Sequence, residues 1–444
     1  MAGTAALTLA LAACGDDGDN DPEAGDTPTA ADSSPTEAES SEAPAFTNDE
    51  CEAAATSADH FKVGGILPLT GNLAFLGPPE IAGVGLAVSE INAAGGVNGQ
   101  QACQQIEDSG ETADLSVSTA SAKKLIQGKP SVVIGAASSS VSLNVVDTFA
   151  NNKITEVSPA NTAVDLSGYS PFYFRTAPPD TVQGSVLGPL IAQDGYNNLG
   201  FLVFNDTYGT GLRDSTQKNF EAAGGKCVYG CTGDGDEFPV GQTTFSTEVQ
   251  AVLSTNPDAI AIITFDEAKS VVPELAATGW DMSKVYFVDG NTSDYSADFA
   301  GGTLTNAQGT SPGADPDQAF KDLLSGWFEA ANGDPLKDYL YGAESYDATI
   351  LAALAAAKGG ANDSVTVQKN YAAVSGSTDG EECASYADCL ALLDGGSEIH
   401  YTGPSGIGPL DADNEPSSAF IGIYKYDDKN VPSVQTTVEG TKPE

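Results

Sequence analysis

The chain has 444 residues, a length that predicts two or three domains. A hydrophobic fraction of 41% is enough for a sizeable core and excludes a wholly disordered protein. Asp and Glu total 62 against 18 Lys and Arg, and the formal net charge of -44 argues against nucleic-acid binding, because such a surface repels phosphate. The only two histidines, His60 and His400, are far apart in the sequence, so we expect neither a histidine metal site nor a histidine-dependent catalytic triad.

Residues 1–14 have the features of a secretion signal that ends at a cysteine. Their apolar stretch is too short to cross a bilayer and is typical of a signal peptide's hydrophobic region. The run LAAC, ending at Cys14, resembles the lipobox of bacterial lipoproteins, which implies lipidation of Cys14 and anchoring to the outer face of the cell membrane. No basic residue precedes the apolar stretch, so a chance apolar leader is the alternative.

Residues 15–59 are rich in Asp, Glu, Ser, Thr, Pro and Ala and contain no Lys or Arg. Such a composition offers little apolar surface to offset the chain entropy lost on folding. The segment is therefore predicted to be a disordered acidic linker between the anchor and a globular body.

Six cysteines remain if Cys14 is lipidated, and an exported protein would oxidise them. They are Cys51, Cys103, Cys227, Cys231, Cys383 and Cys389. Six cysteines allow 15 pairings. Short loops favour the pairs 227–231 and 383–389, which leaves 51–103. A zinc site is the alternative, but the sequence lacks a C-x2-C pair with a nearby histidine.

Short apolar runs alternate with helical patterns from Phe61 onward. The predicted strands are 61–68, 104–107, 131–135, 154–158, 171–175, 199–204, 226–229, 259–264, 285–288 and 420–425. The predicted helices are 79–94, 115–126, 140–150, 182–193, 211–223, 245–253, 268–277, 317–331, 345–357 and 365–373. This alternation predicts an α/β fold of two doubly wound, Rossmann-like lobes joined by a hinge. The first lobe is expected at 60–178 plus about 315–410, and the second at 179–314 plus about 411–444.

Two loops of small residues follow strands of the first lobe, at the edge where open α/β sheets bind ligands. Ser138 and Ser139 precede a predicted helix, and their hydroxyls with the free N–H groups of that helix would bind an anion such as a carboxylate. The second loop, residues 158–162, offers exposed carbonyls and the Thr162 hydroxyl, which would accept hydrogen bonds from an ammonium group. A plain helix cap and an ordinary polar turn are the alternatives.

Four residues of the later chain are candidates to face the same crevice. Asp289 follows a strand and could pair with an ammonium group, unless it is an ordinary turn residue. Tyr208 could stack on a ligand or simply begin a helix, and Phe265 and Tyr341 are candidate lid aromatics or core residues. Arg175, at the end of an aromatic strand, is expected to form a structural ion pair.

Several enzyme signatures are absent from the sequence. There is no P-loop, no G-x-G-x-x-G after a strand and no G-x-S-x-G elbow, so we expect no cofactor, no metal and no covalent chemistry. The alternative is a hydrolase that uses the crevice between the lobes, which would need a nucleophile and a base within hydrogen-bond reach.

Eight segments, in order along the chain, carry a family resemblance. They are KVGGILPLTGNLAFLG, AVSEINAAGGVNGQ, VVIGAASSSVS, EVSPANTAVDLS, FRTAPPDTVQG, FNDTYGTGL, YFVDGN and YTGPSGIGPLDADNE. Together they resemble the periplasmic leucine/isoleucine/valine-binding proteins of ABC transporters, which have the type I periplasmic binding protein fold. The second segment, residues 87–100, is the most specific match.

The resemblance implies a substrate-binding lipoprotein of an ABC importer that delivers a small amino acid, branched-chain or similar, to membrane permease subunits. It implies that Ser139 and Thr162 bind the ligand carboxylate and that Ala160 and Thr162 meet its ammonium group. Tyr208 would close from the second lobe, and the acidic partner would be Asp289, with Asn291 in that place if the alignment shifts by two.

The resemblance also places Phe265 and Tyr341 near the ligand. Leu76 stands where branched-chain amino acid binders carry an aromatic residue, so the alternative ligands are an amide, urea or an aromatic acid. A solute-sensing subunit that signals instead of transporting is a further alternative.

Overall fold

The first sheet of the computed structural model, which describes residues 46–442, contains five parallel strands. Its part of the chain comprises β1 Phe61–Leu67, α1 Gly77–Ala93, β2 Ala102–Asp108, α2 Ser116–Gln127, β3 Val132–Gly135, α3 Ser139–Asn151, β4 Glu156–Ser158 and β5 Tyr173–Arg175. The strand order is β2-β1-β3-β4-β5, so the sheet first grows to one side of β1 and then to the other. A crevice therefore opens beyond the carboxyl ends of β1 and β3.

The second sheet repeats this arrangement. It begins with α4 Asp180–Gln193, β6 Asn198–Val203, α5 Thr207–Ala222, β7 Lys226–Tyr229, α6 Ser246–Ser254, β8 Ala259–Ile263, α7 Ala268–Ala277, β9 Val285–Phe287 and β10 Gln308–Pro312. Strand β6 lies between β7 and β8, so this sheet also reverses its growth, and its crevice opens beyond β6 and β8.

The remaining elements return to both sheets. They are α8 Gln318–Asn332, α9 Gly342–Gly359, α10 Ser364–Val374, β11 Glu381–Cys383, α11 Tyr386–Asp394, β12 Ile399–Tyr401, β13 Ser418–Tyr426 and β14 Pro432–Thr441. Helices α8 and α9 pack against α1, while β13 and β14 extend the second sheet with antiparallel strands to the order β14-β13-β10-β9-β8-β6-β7. Strands β11 and β12 form a separate two-stranded sheet.

Three connections join the two halves within residues 46–442: β5 to α4, β10 to α8, and β12 to β13. We call the first sheet with α1–α3 and α8–α11 the first lobe, and the second sheet with α4–α7 the second lobe.

A buried ion pair ties two of the connections together. Arg175, at the end of β5, donates from Nε to Glu415 at 2.7 Å and from Nη1 to the carbonyl of Ala163 at 2.9 Å. Glu415 also accepts from Lys442, which lies just after β14 and contacts Asp411 and Asp413 as well. The structural ion pair expected for Arg175 is thus confirmed.

Disulfides join Cys51 to Cys103, Cys227 to Cys231 and Cys383 to Cys389. These are the pairings that the loop lengths favoured. The expected lipidation of Cys14 lies outside the described residues. No helix within 46–442 is long and apolar enough to cross a membrane.

The predicted disordered linker is wrong for residues 46–59, which pack on the first lobe. Cys51 is bonded to Cys103 in β2, and the carbonyl of Thr47 accepts from Trp327 Nε1 at 3.0 Å. Phe46 lies against Gly326 of α8. The prediction rested on composition and did not take the disulfide into account. The disulfide fixes this segment in spite of its polarity.

Some elements also differ from the sequence prediction. Helix α5 begins four residues earlier than expected, because Asp206 caps it by accepting from the Tyr208 N–H at 2.9 Å. Strands β10, β11, β12 and β14 and helix α11 were not predicted. Neither β10 (QGTSP) nor β14 (PSVQTTVEGT) contains the apolar run by which a strand is predicted. Strand β10 is buried although its side chains are mostly polar, and β14 is an exposed edge strand.

Candidate functional site

The crevices of the two lobes meet in one cavity. The free space in it is about 20 Å³, room for about one water, so the lobes or the lining side chains must move apart before a solute can enter. Loops that follow strands of both sheets supply most of its walls. The lining residues are Leu73, Leu76, Ala137, Ser139, Ala160, Asn161, Thr162, Tyr208, Phe265, Asp289, Gly290 and Tyr341.

The first lobe presents hydrogen-bond donors at the start of α3. Ser139, the first residue of this helix, accepts at Oγ from the backbone N–H groups of Thr162 at 3.4 Å and Ala163 at 3.2 Å. The first N–H groups of a helix have no intrahelical partner, and the helix dipole favours negative charge there. This corner of the cavity therefore suits a carboxylate.

A network of side chains fixes the two loops of the first lobe against each other. Ser158 Oγ donates to the carbonyl of Ala136 at 2.6 Å and accepts from the Asn161 N–H at 3.1 Å. Asn161 donates from Nδ2 to Ser142 at 2.7 Å and accepts at Oδ1 from the Tyr173 hydroxyl at 2.5 Å. The backbone that presents Ala160 and Thr162 to the cavity is thus held rigidly.

The second lobe presents a buried carboxylate, Asp289, just after β9. Its Oδ1 accepts from the Tyr208 hydroxyl at 2.7 Å, and its Oδ2 accepts from the Tyr341 hydroxyl at 2.6 Å. Burial raises the pKa of Asp289, while the bonds from Tyr341, Tyr208 and Gln183 lower it in part. A carboxylate with two hydroxyl donors and no cation among the described residues suits an ammonium group.

Aromatic and aliphatic side chains form the other walls. The Tyr208 ring stacks on Phe265 with centroids 5.4 Å apart and planes at 10°, and Phe204 meets Phe265 edge-on behind them. Leu73 and Leu76, in the turn after β1, line the cavity from the first lobe. The cavity therefore has an apolar part beside its two polar ends.

Two hydrogen bonds join the lobes next to residues that line the cavity. Ser140 in the first lobe donates to Asp206 in the second at 2.6 Å, and Thr207 in the second donates to Asp165 in the first at 2.7 Å. We call these two bonds the latch. Together with the bond from Tyr341 to Asp289, they hold the lobes closed.

The structure brings together seven of the eight residues predicted to contact the ligand: Ser139, Ala160, Thr162, Tyr208, Asp289, Phe265 and Tyr341. Ser138 does not line the cavity. It caps α3, accepting from the Val141 N–H, which is the alternative that the sequence left open, and it contacts Thr112.

Asp289, and not Asn291, faces the cavity. The side chain of Asn291 is used within the second lobe, where it bonds to Val288, to the carbonyl of Ile262 and to Thr264. Sequence reasoning missed four lining residues, although all of them stand within segments that carry the family resemblance: Leu73, Ala137, Asn161 and Gly290.

Within residues 46–442, one group of acidic residues has the spacing of a metal site: Asp411, Asp413 and Glu415. The Lys442 ammonium contacts all three carboxylates at 2.6 to 3.1 Å and neutralises part of their charge. This group is far better explained as part of the ion network than as a cofactor site. His60 and His400 do not line the ligand cavity.

Comparison with known proteins gives consistent results. The periplasmic binding protein family matches residues 60–382 of the chain. A Leu/Ile/Val-binding protein homolog from Brucella suis is 30% identical over 318 residues, which are 69% of this chain and 81% of that protein. The Leu, Ile, Val, Thr and Ala-binding protein of Pseudomonas aeruginosa is 33% identical over 172 residues, 38% of this chain, and the match spans 45% of that protein.

Solved structures share the fold at low sequence identity. A branched-chain amino acid transporter substrate-binding protein from Streptococcus pneumoniae, in complex with isoleucine, has a TM-score of 0.69 at 20% identity and covers 86% of this chain and 100% of its own. A solute-binding protein from R. palustris, in complex with benzoate, has a TM-score of 0.65 at 19% identity and covers 87% and 98%. The chain therefore belongs to the periplasmic binding protein family, with the type I fold of its branched-chain amino acid-binding members.

Proposed function

We propose that the protein captures a small α-amino acid with an aliphatic side chain between its lobes and delivers it to the permease of an ABC importer. The single observation that carries this proposal is the division of the cavity. Donors at the start of α3 stand in the first lobe, a buried carboxylate stands in the second, and apolar side chains line the space between.

A zwitterion satisfies both polar ends at once. Its carboxylate would take the place at Ser139 and the N–H of Thr162, and its ammonium group would bind Asp289, the carbonyl of Ala160 and the Thr162 hydroxyl. Leu76 and Phe265 would cover an aliphatic side chain. Contacts from both lobes exist only when the lobes are closed, so the solute would stabilise the closed state.

An aromatic acid is the second candidate, favoured by the stacked pair Tyr208 and Phe265. A benzoate-like ligand could lie against this pair and place its carboxylate at Ser139. It has no cationic group for Asp289, however, and a buried carboxylate without a cation is costly. The amino acid is therefore the better match to the charges of the cavity.

Isothermal titration calorimetry with a panel of amino acids, amides, urea and benzoates tests the proposal. We expect the tightest binding for leucine, isoleucine or valine, and binding at least tenfold weaker for 4-methylpentanoate, which is leucine without its amino group. Tight binding of benzoate and none of amino acids would favour the second candidate. Absence of heat and of thermal shift for the whole panel would refute both.

We further propose that lipidation of Cys14 holds the protein at the outer face of the cell membrane, and that the two lobes are the units that move in binding. The fold and the relatives are those of extracytoplasmic solute-binding proteins. Metabolic labelling with a fatty acid would mark the wild-type protein and leave Cys14→Ser unlabelled. Labelling of both would refute the anchor. Loss of solute uptake on deletion of a neighbouring permease would separate transport from sensing.

A further inference from the structure

The first turn of α4 places two buried polar side chains behind both polar ends of the cavity. Asp180 is the first residue of α4, and Gln183 lies one turn further on the same face. The Asp180 N–H donates to the carbonyl of Thr162 at 2.7 Å, and the Asp180 side chain lies beside the Thr162 hydroxyl. The Gln183 side chain lies beside Asp289. One helical turn thus contacts the ligand-binding walls of both lobes.

Five polar atoms of this turn and its neighbour are buried and without a hydrogen-bond partner in the part of the chain that the structure describes. They are both carboxyl oxygens of Asp180, Oγ1 of Thr162, Oγ1 of Thr181 and Oε1 of Gln183. Leaving a buried polar atom without a partner is costly. These atoms are therefore expected to bond to one another or to a ligand, and Thr162 is the residue among them that lines the cavity.

The charges around Asp180 favour its neutral form. The side chain is fully buried, and the nearby carboxylates of Asp289 and Asp206 repel a further negative charge. The cation in its surroundings, Arg175, is bonded to Glu415. Burial is the main reason that the pKa of Asp180 is raised well above its usual value. As a carboxylic acid, Asp180 has one O–H donor and one carbonyl acceptor.

We propose that Asp180, as a neutral carboxylic acid, is a positioning residue for the amino end of the ligand site. Its O–H donates to Oε1 of Gln183, and its carbonyl accepts the hydroxyl proton of Thr162. The Thr162 oxygen is then turned so that a lone pair faces the ligand's ammonium group. Asp180 would thus help to select ligands that carry an amino group without touching them. The inference rests on the proposed function and adds a residue to it.

The test compares the dissociation constants of leucine and 4-methylpentanoate by calorimetry, with the weaker ligand measured by displacement. Asp180→Leu keeps the branched shape but removes both hydrogen-bonding groups, and we expect leucine to bind about tenfold more weakly while 4-methylpentanoate changes less than twofold. Asp180→Asn keeps a carbonyl and an N–H donor, so it should bind leucine within twofold of the wild type.

Glu80→Gln is the matched control, because Glu80 is a fully buried carboxyl whose oxygens also have no partner among residues 46–442, and it does not line the cavity. It should leave both dissociation constants unchanged. If Asp180→Leu folds poorly, Asp180→Ala takes its place with the same expectation.

Three results would overturn the inference. Leucine binding to Asp180→Leu as tight as to the wild type would show that Thr162 needs no positioning. An equal loss for both ligands would indicate a merely structural role. A loss in Asp180→Asn as large as in Asp180→Leu would show that Asp180 acts through its charge. Failure of the wild-type protein to bind any amino acid would instead refute the proposed function, and the inference with it.

Discussion

Replacing Asp289 with Asn is the most direct test of how the cavity recognises its solute. Asp289 is 4% exposed and lies between two tyrosine hydroxyls, so a bound ammonium group would be shielded from water. A hydrogen bond to a charged group in such a place contributes about 1.5–3 kcal/mol, which corresponds to roughly a 10- to 150-fold change in affinity. Because Asn keeps the shape but loses the charge, we expect leucine to bind Asp289→Asn about 100-fold more weakly.

Calorimetry at 25 °C with leucine and 4-methylpentanoate gives the required comparison. The analogue has no ammonium group, so the substitution should leave its affinity unchanged or improve it, since the site no longer holds an unmatched charge. Asp347→Asn is the control, because Asp347 is also buried and accepts from a tyrosine, Tyr401, at 2.7 Å, but lies outside the cavity. Equal losses for both ligands, or a loss in the control, would refute the reasoning.

Three further predictions concern the latch, the pH dependence and a disulfide. Thr207→Val removes the bond to Asp165, and stopped-flow fluorescence should show dissociation about fivefold faster for every solute, with or without an amino group. Burial raises the pKa of Glu344 to about 8 in the folded protein, so the folded state binds the proton more tightly than the unfolded state. The free energy of unfolding should therefore fall as pH rises from about 4.5 to 8. Urea unfolding of Glu344→Gln should show a weaker dependence on pH over this range. Replacing Cys51 and Cys103 with Ser opens a 52-residue loop and should lower the free energy of unfolding by about 4 kcal/mol in the same assay, whereas an unchanged midpoint would contradict the packing of residues 46–59.

The alternation of strands and helices could be predicted because a parallel strand that is covered on both faces has a continuous run of apolar residues in its sequence. The runs SVVIG and AIAII show this, and both became central strands. Strand β10 was not predicted because Thr310 and Ser311 are buried polar residues. The hydroxyl of Thr310 accepts from Gln183 and that of Ser311 donates to the carbonyl of Pro312, and no local pattern reports these contacts.

Those site residues that directly follow the end of a strand could be predicted from the sequence. Parallel strands place their carboxyl ends at one edge, so the loops of Ser139 and Thr162 were expected to meet. The bonds of Asp289 to Tyr208 and Tyr341 join residues up to 81 positions apart, and the positions of Asp180 and Gln183 depend on how α4 packs. Those relations come from tertiary packing, which spacing along the chain does not encode.

Lys442 follows β14, the edge strand of the second sheet, and its charge acts on the connection between the lobes. Asp411, Asp413 and Glu415 would repel one another where the chain passes from β12 to β13, and the ammonium group that β14 delivers offsets this repulsion. The stiffness of this connection therefore depends on a lysine just beyond the edge strand of the second sheet, which does not line the cavity. Acetylation or substitution of Lys442 would loosen the connection from β12 to β13 without changing any residue that lines the cavity.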